Sequence, residues 1–159
     1  MIQNLQDLLK LLLQSDLDFV LIGGFAAVLH GCNQTTRDID ICVLHSAEQI
    51  ETLQHLLSPI HPYYRGTDPK ESFLVPKDFS QKQDFHLVTD LGVLDVISKV
   101  KGVGDFYAVL KNSKEITLYG HSCRIISIED LIKSKKALGR HRDLATVAEL
   151  EAILEKDKN

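Results

Sequence analysis

Leu5, Leu8, Leu9, Leu12 and Leu13 recur at three- and four-residue spacing, which predicts a helix with one apolar stripe, closed by Ser15-Asp16. The pattern then changes. Phe19-Val20-Leu21-Ile22 is an unbroken apolar run of strand length, ended by Gly23-Gly24, after which Phe25 to His30 can form a short helix. Alternation governs the next segment: in Asp38-Ile39-Asp40-Ile41-Cys42-Val43 a strand would put Asp38 and Asp40 on one face and Ile39, Ile41 and Val43 on the other. Ser46 is placed to cap a helix carrying Ile50, Leu53, Leu56 and Leu57 on one side, ended by Ser58-Pro59.

From His61 to Lys82 the periodicity is lost. Pro62, Pro69 and Pro76 mark a loop that could border a functional site, with a short strand at Ser72 to Val75. Phe85 to Val88 and Val93 to Ile97 bracket Thr89-Asp90-Leu91-Gly92 as the two arms of a hairpin. Phe106 to Leu110 reads as one helical turn, and Glu115 to Leu118 with Cys123 to Ile126 as a strand pair around Tyr119-Gly120-His121. Ser127 is a good N-cap with Asp130 at the third helical position, and the remainder is predicted helical to about Glu155, broken near Gly139.

With 159 residues, 44% of them hydrophobic, the chain can bury a real core in one compact unit. That unit divides into a sheet-containing part, 1–126, and a C-terminal helical segment, 127–159; no repeat or linker separates a second domain. A net charge of -4 argues against a surface that coats nucleic acid, while leaving room for a local basic patch. Cys32, Cys42 and Cys123 are odd in number and lack a C-x-x-C spacing, so neither a disulfide framework nor a zinc site is indicated and a reducing cytoplasm fits. The N-terminus reads as neither an export signal nor a membrane anchor.

The chemistry concentrates between Gly23 and Asp40. A glycine turn before a helix lets a phosphate approach backbone N–H groups, so Gly23 and Gly24 are candidate nucleotide-binding residues. Asp38 and Asp40 repel each other unless a cation joins them, and hard, oxygen-seeking Mg²⁺ is the natural candidate. Asp95 interrupts the apolar strand Val93-Leu94-Asp95-Val96-Ile97, where an unpaired carboxylate is costly. Either a hydrogen bond or a partner such as Lys99 or Arg124 compensates it, or it joins Asp38 and Asp40 around two metal ions. Asp90, two residues before Gly92, is the weaker third carboxylate because a turn wants it for its own sake.

Lys133 to Asp143 is the main basic cluster, from which Lys135, with Arg140 or Arg142, could reach a phosphate; Lys135 and Lys136 cannot share one direction on a helix. Arg37 could balance the carboxylates or touch substrate. His30 reads as a core or helix-end residue, Tyr63 and Tyr64 as packing residues that could stack on a base, and none of the cysteines as a nucleophile.

Gly23-Gly24, Asp38-Ile39-Asp40 and the later Asp95 resemble the signature of the DNA polymerase β-like nucleotidyltransferase superfamily. The run through His30-Gly31 and Thr36-Arg37, together with Ser127 to Ile132, Lys135 and Arg140 to Asp143, is most similar to the small bacterial branch of AbiEii-type toxins and minimal nucleotidyltransferases. Gly24 departs from the commoner Gly-Ser form and removes a hydroxyl. The resemblance implies an α+β fold with a mixed sheet flanked by helices. It implies Mg²⁺-dependent transfer of a nucleoside monophosphate from an NTP to a hydroxyl, with pyrophosphate released and Asp95 as metal ligand and base. For the acceptor it leaves an RNA end such as the tRNA acceptor stem, a partner protein or a small molecule. A catalytically silent binding module, acting as a toxin–antitoxin partner or RNA-binding protein, is the alternative.

Overall fold

In the computed structural model, described over residues 4–66 and 84–158, helices cover both faces of a mixed β-sheet. The strand expected at Ser72 to Val75 lies outside the described residues. Asn4 caps α1 (Leu5–Leu13) by accepting the Asp7 N–H, and Leu8, Leu9 and Leu12 of its stripe are buried. β1 (Phe19–Ile22) leads directly into α2 (Gly23–Leu29), so the glycine pair forms the helix's first turn and does not precede it. β2 (Asp38–Val43) returns antiparallel to β1. α3 (Ala47–Leu57), capped by the Ser46 hydroxyl, follows, and a 3₁₀ turn at Ser58–Ile60 ends it.

A two-residue strand that the sequence pattern does not announce, β3 (Tyr63–Tyr64), pairs with β4 (Phe85–Thr89). β4 and β5 (Gly92–Ile97) are the expected hairpin. β6 (Lys99–Val100) and β7 (Gly104–Asp105) make a small separate ladder before α4 (Phe106–Lys111). β8 (Lys114–Leu118) and β9 (His121–Ile125) complete the sheet, whose order among the described residues is β3-β4-β5-β2-β1-β9-β8. β2 with β5 and β1 with β9 are parallel, and the other neighbours in this sheet antiparallel.

Because β2 is internal, its alternation feeds two cores. Ile39, Ile41 and Val43 pack with α1 and α3 on one side; Cys42, on the aspartate side, packs with Val20 and Ile22 of β1 and with α2, α4 and the C-terminal helices. Each fully buried Leu or Ile contributes ~1.5–3 kcal/mol, and these layers fix which way Asp38 and Asp40 point. Ser127 caps α5 (Ile128–Leu138), as expected. Gly139 ends it in the left-handed conformation at φ 67°, with its N–H on the Lys135 carbonyl, so the predicted break divides two helices and α6 spans His141–Asp157. No helix among the described residues is long and apolar enough to cross a membrane.

Candidate functional site

Ile22, the last residue of β1, pairs with Asp40 across the sheet, which brings the start of α2 against the Asp40 side chain. Gly23 has φ +71°, and a Cβ there would run into the Asp40 carboxylate. Glycine is therefore required at this position for both conformation and space. The Gly24 carbonyl accepts a hydrogen bond from Gln34 Nε2 at 3.2 Å, and Thr146 of α6 donates to Gln34 Oε1 at 3.0 Å. The glycine pair is thus tied to the C-terminal helices.

The parallel register of β2 and β5 sets Asp40 level with Asp95, and Asp38 level with Val93. All three aspartates consequently share the sheet face away from Ile39 and Ile41. Burial pushes the Asp40 carboxyl up to about 7, reinforced by a hydrogen bond to Asp95 and by the charges of Asp95 and Asp38, against the opposing pull of Lys135. An unfolded chain ionises this group near 3.8, whereas the folded chain keeps the proton until about 7. Between those values the unfolded state binds fewer protons, so this group's contribution to stability falls as pH rises and is level above the window. The melting temperature of Asp40→Asn minus that of the wild type is expected to be small at pH 4, to grow in favour of the variant towards pH 7 and then to flatten. Thermal melts across pH 4 to 8 test this, and a constant difference would contradict it.

Asp95 has partners other than Lys99 or Arg124. Arg65, directly after β3, places Nη2 at 3.1 and 3.4 Å from the two Asp95 oxygens and 3.9 Å from Asp38 Oδ2. His86 Nδ1 lies 2.9 Å from Asp95 Oδ1, because the hairpin register sets His86 opposite Asp95. Arg124 pairs with Glu115 on β8. Asp90 sits at the β4–β5 turn with His61 at 2.6 Å, apart from the other aspartates.

On the helical side, Asp143 is 1% exposed and receives Arg140 Nε at 2.6 Å and Nη2 at 3.2 Å, with Lys135 Nζ at 3.5 Å. Burial opposes ionisation of Asp143, but the Arg140 hydrogen bonds and the charges of Lys135 and Arg140 outweigh it and hold the carboxyl below its ordinary range. Lys136 points elsewhere and pairs with Glu151 at 2.9 Å. Lys135 and Arg140 border a polar cavity of about 890 Å³ together with Gly24, Arg37, Asp38, Asp40 and Asp95, and Arg142 also lines it. Gly23 faces an adjoining space bordered by the same Asp40, Lys135 and Arg140.

The remaining candidates sit apart from the chemistry. His30 ends α2 with its ring nitrogen 2.7 Å from the Ile126 carbonyl. Tyr64 packs against the core, and burial pushes the Cys32, Cys42 and Cys123 thiols up to about 11, 12 and 11. A separate cavity of about 530 Å³ between α1, α4 and β9 is lined by none of Asp38, Asp40 and Asp95.

Three aspartates on one sheet face supply the hard oxygen donors that Mg²⁺ takes. The fit is one of chemistry and not of arrangement: no group of three or more His, Cys, Asp or Glu side chains among the described residues is disposed to hold a metal ion. Arg65 engages two of the three carboxylates instead.

By sequence, no protein-family model and no curated protein matches the chain. Solved structures do. The lincosamide antibiotic adenylyltransferase LnuA, in its lincomycin-bound form, is similar with TM-score 0.60 and 18% identity over 94% of this chain and 95% of that one. A protein of Thermotoga maritima provisionally named a nucleotidyltransferase gives TM-score 0.57 and 16% identity over 91% and 88%. ANT(2'')-Ia in complex with adenylyl-2''-tobramycin gives 0.50 and 12% over 93% and 97%. At such identities the likeness speaks for the fold alone, and the mixed sheet with its flanking helices is the nucleotidyltransferase fold.

Proposed function

We propose that this protein is a nucleotidyltransferase that moves a nucleoside monophosphate from an NTP to a hydroxyl acceptor and releases pyrophosphate. The observation that carries this reading is the convergence of Asp38, Asp40 and Asp95 on one sheet face, against a glycine that only a missing Cβ allows so near Asp40. Asp38, Asp40 and Asp95 are the residues that would hold Mg²⁺, which when bound supplies charge neutralisation for the phosphates and polarises the attacking hydroxyl. Gly23 and Gly24 seat the triphosphate, while Lys135 and Arg140 offset the charge that develops on the leaving pyrophosphate. Asp95, oriented by Arg65 and His86, takes the proton of the acceptor hydroxyl. Arg37 lines the same cavity and is assigned to substrate contact.

The acceptor we favour is a small hydroxylated molecule. LnuA holds lincomycin and ANT(2'')-Ia holds adenylyl-2''-tobramycin in their structures, and a cavity of about 890 Å³ accommodates a small molecule beside phosphates. One feature favours the second reading, a silent module serving as a toxin–antitoxin partner or an RNA-binding protein: Arg65 already neutralises Asp95 and approaches Asp38.

Pyrophosphate release, measured with each NTP and Mg²⁺ against panels of hydroxylated small molecules, tRNA and proteins, decides between them. Turnover on a small molecule is expected. Mg²⁺-dependent NTP binding with no turnover on any acceptor supports the silent module, and absence of NTP binding refutes the enzyme.

A further inference from the structure

The two edges of the sheet are of unequal kind. At one, β3 is two residues long; at the other, β8 runs for five, and among the described residues its only strand neighbour is β9. The turn between β8 and β9 decides which backbone groups of β8 are open. Tyr119 and Gly120 have φ 50° and 79°, the two left-handed positions of a type I′ turn, so Leu118 and His121 close the hairpin as a hydrogen-bonded pair. Such pairs alternate along an antiparallel ladder. Ile116 and Lys114 therefore bond inward to Cys123 and Ile125, whereas the N–H and C=O groups of Glu115 and Thr117 point away from β9. No described residue bonds to them. An open edge is a template for another strand, and β8 has neither a proline nor a bulge to blunt it.

We propose that β8 is a self-association edge, at which a second copy of this chain adds its own β8 antiparallel about a two-fold axis at Ile116. The strand is its own complement. Its two outward-bonding residues stand symmetrically on either side of Ile116, so the two-fold sets Glu115 against Thr117 of the second copy, and Thr117 against its Glu115, as hydrogen-bonded pairs. Ile116, part-buried against both cores, then meets its copy in the closer, non-hydrogen-bonded pair. Lys114 falls opposite Leu118, along which its stem can lie with the ammonium in water, and no charge faces its like. A parallel copy in register would set lysine beside lysine and glutamate beside glutamate. Tyr119, 45% exposed just beyond the strand, would come beside Ser113 of the second copy and lose part of that exposure. β9 and β1 separate this edge from β2, so pairing leaves the cavity around Asp38, Asp40 and Asp95 accessible, and the proposal does not depend on the nucleotidyltransferase reading.

Analytical ultracentrifugation of the full chain tests it. The interface is smaller than that of a stable dimer, so a Kd of about 10–100 µM is expected across samples of about 5–200 µM. Thr117→Pro removes an outward N–H without touching a bond to β9, and should give a monomer with an unchanged circular dichroism spectrum. Two charge variants at the same exposed position test the register without proline, and each change occurs twice across the two-fold. Thr117→Glu sets glutamate against Glu115 of the second copy and should weaken the dimer about tenfold, while Thr117→Lys should tighten it about threefold. A wild type that stays monomeric throughout overturns the proposal and leaves the edge to a foreign strand or to none. A dimer that the folded variants leave unchanged lies elsewhere on the molecule, and one that Thr117→Glu and Thr117→Lys weaken alike has another register; either result overturns the assignment. Should Thr117→Pro fail to fold, the opposite signs of the two charge variants decide alone.

Discussion

Asp38→Asn combined with Asp40→Asn is expected to lower pyrophosphate release by at least ~10³, since removing a single electrostatic stabiliser of a transition state costs ~10²–10³. Folding should not share the loss. Asp40 is held against burial and against the charges of two neighbouring carboxylates, so asparagine relieves repulsion where it removes chemistry. The double variant should melt at or above the wild-type temperature at pH 8. Full turnover by the folded double variant would remove the carboxylates from the mechanism. Lost turnover accompanied by a collapse of thermal stability would instead place the effect in folding.

The second large effect is on stability. Asp143→Ala leaves Arg140 and Lys135 facing each other without the buried carboxylate that joins them, and Lys135 is only 13% exposed. Breaking a buried pair from one side costs ~3–5 kcal/mol. Arg140, half exposed, can turn to solvent, so we expect the lower end, about 3 kcal/mol, or roughly 6–12 °C in melting temperature. Asp143→Asn keeps an acceptor and should lose less. The sign with pH follows from the lowered Asp143 carboxyl: its stabilisation is complete above the ordinary value of 3.8 and is lost as pH falls below it. The gap between wild type and Asp143→Ala should therefore close in acid. Chemical denaturation at pH 7 and at pH 3 measures it, and an equal gap at both would show that packing, not charge, stabilises this junction.

What the sequence made legible follows from the range of the interactions involved. The leucine stripe of α1, the caps at Ser46 and Ser127 and the stop at Gly139 are decided within a few residues, and each stands where local periodicity predicts. The shared face of Asp38 and Asp40 was readable because a period of two is local as well. His86 was within reach too: counting back from the β4–β5 turn sets it opposite Asp95. Asp143 carried a weaker signal, as an acidic residue three after the helix N-cap Arg140. Arg65 carried none, for its place beside Asp95 depends on β3 pairing with β4 across more than twenty residues of chain. Lys99 and Arg124, closer in pattern, were the wrong partners for Asp95, because strand order and not sequence distance chooses neighbours.

The β4–β5 turn also acts as a ruler. Thr89 and Gly92 close it as a pair, and His86 and Asp95 each stand three residues away on opposite arms. One residue inserted between Gly92 and Asp95 would rotate that carboxylate onto the face occupied by Leu94 and Val96, into a core that offers a charge no partner. Chain length in this short arm is thus a condition of the site as strict as the identity of its aspartates, and an insertion there can dismantle the cluster while every residue of it survives in the sequence.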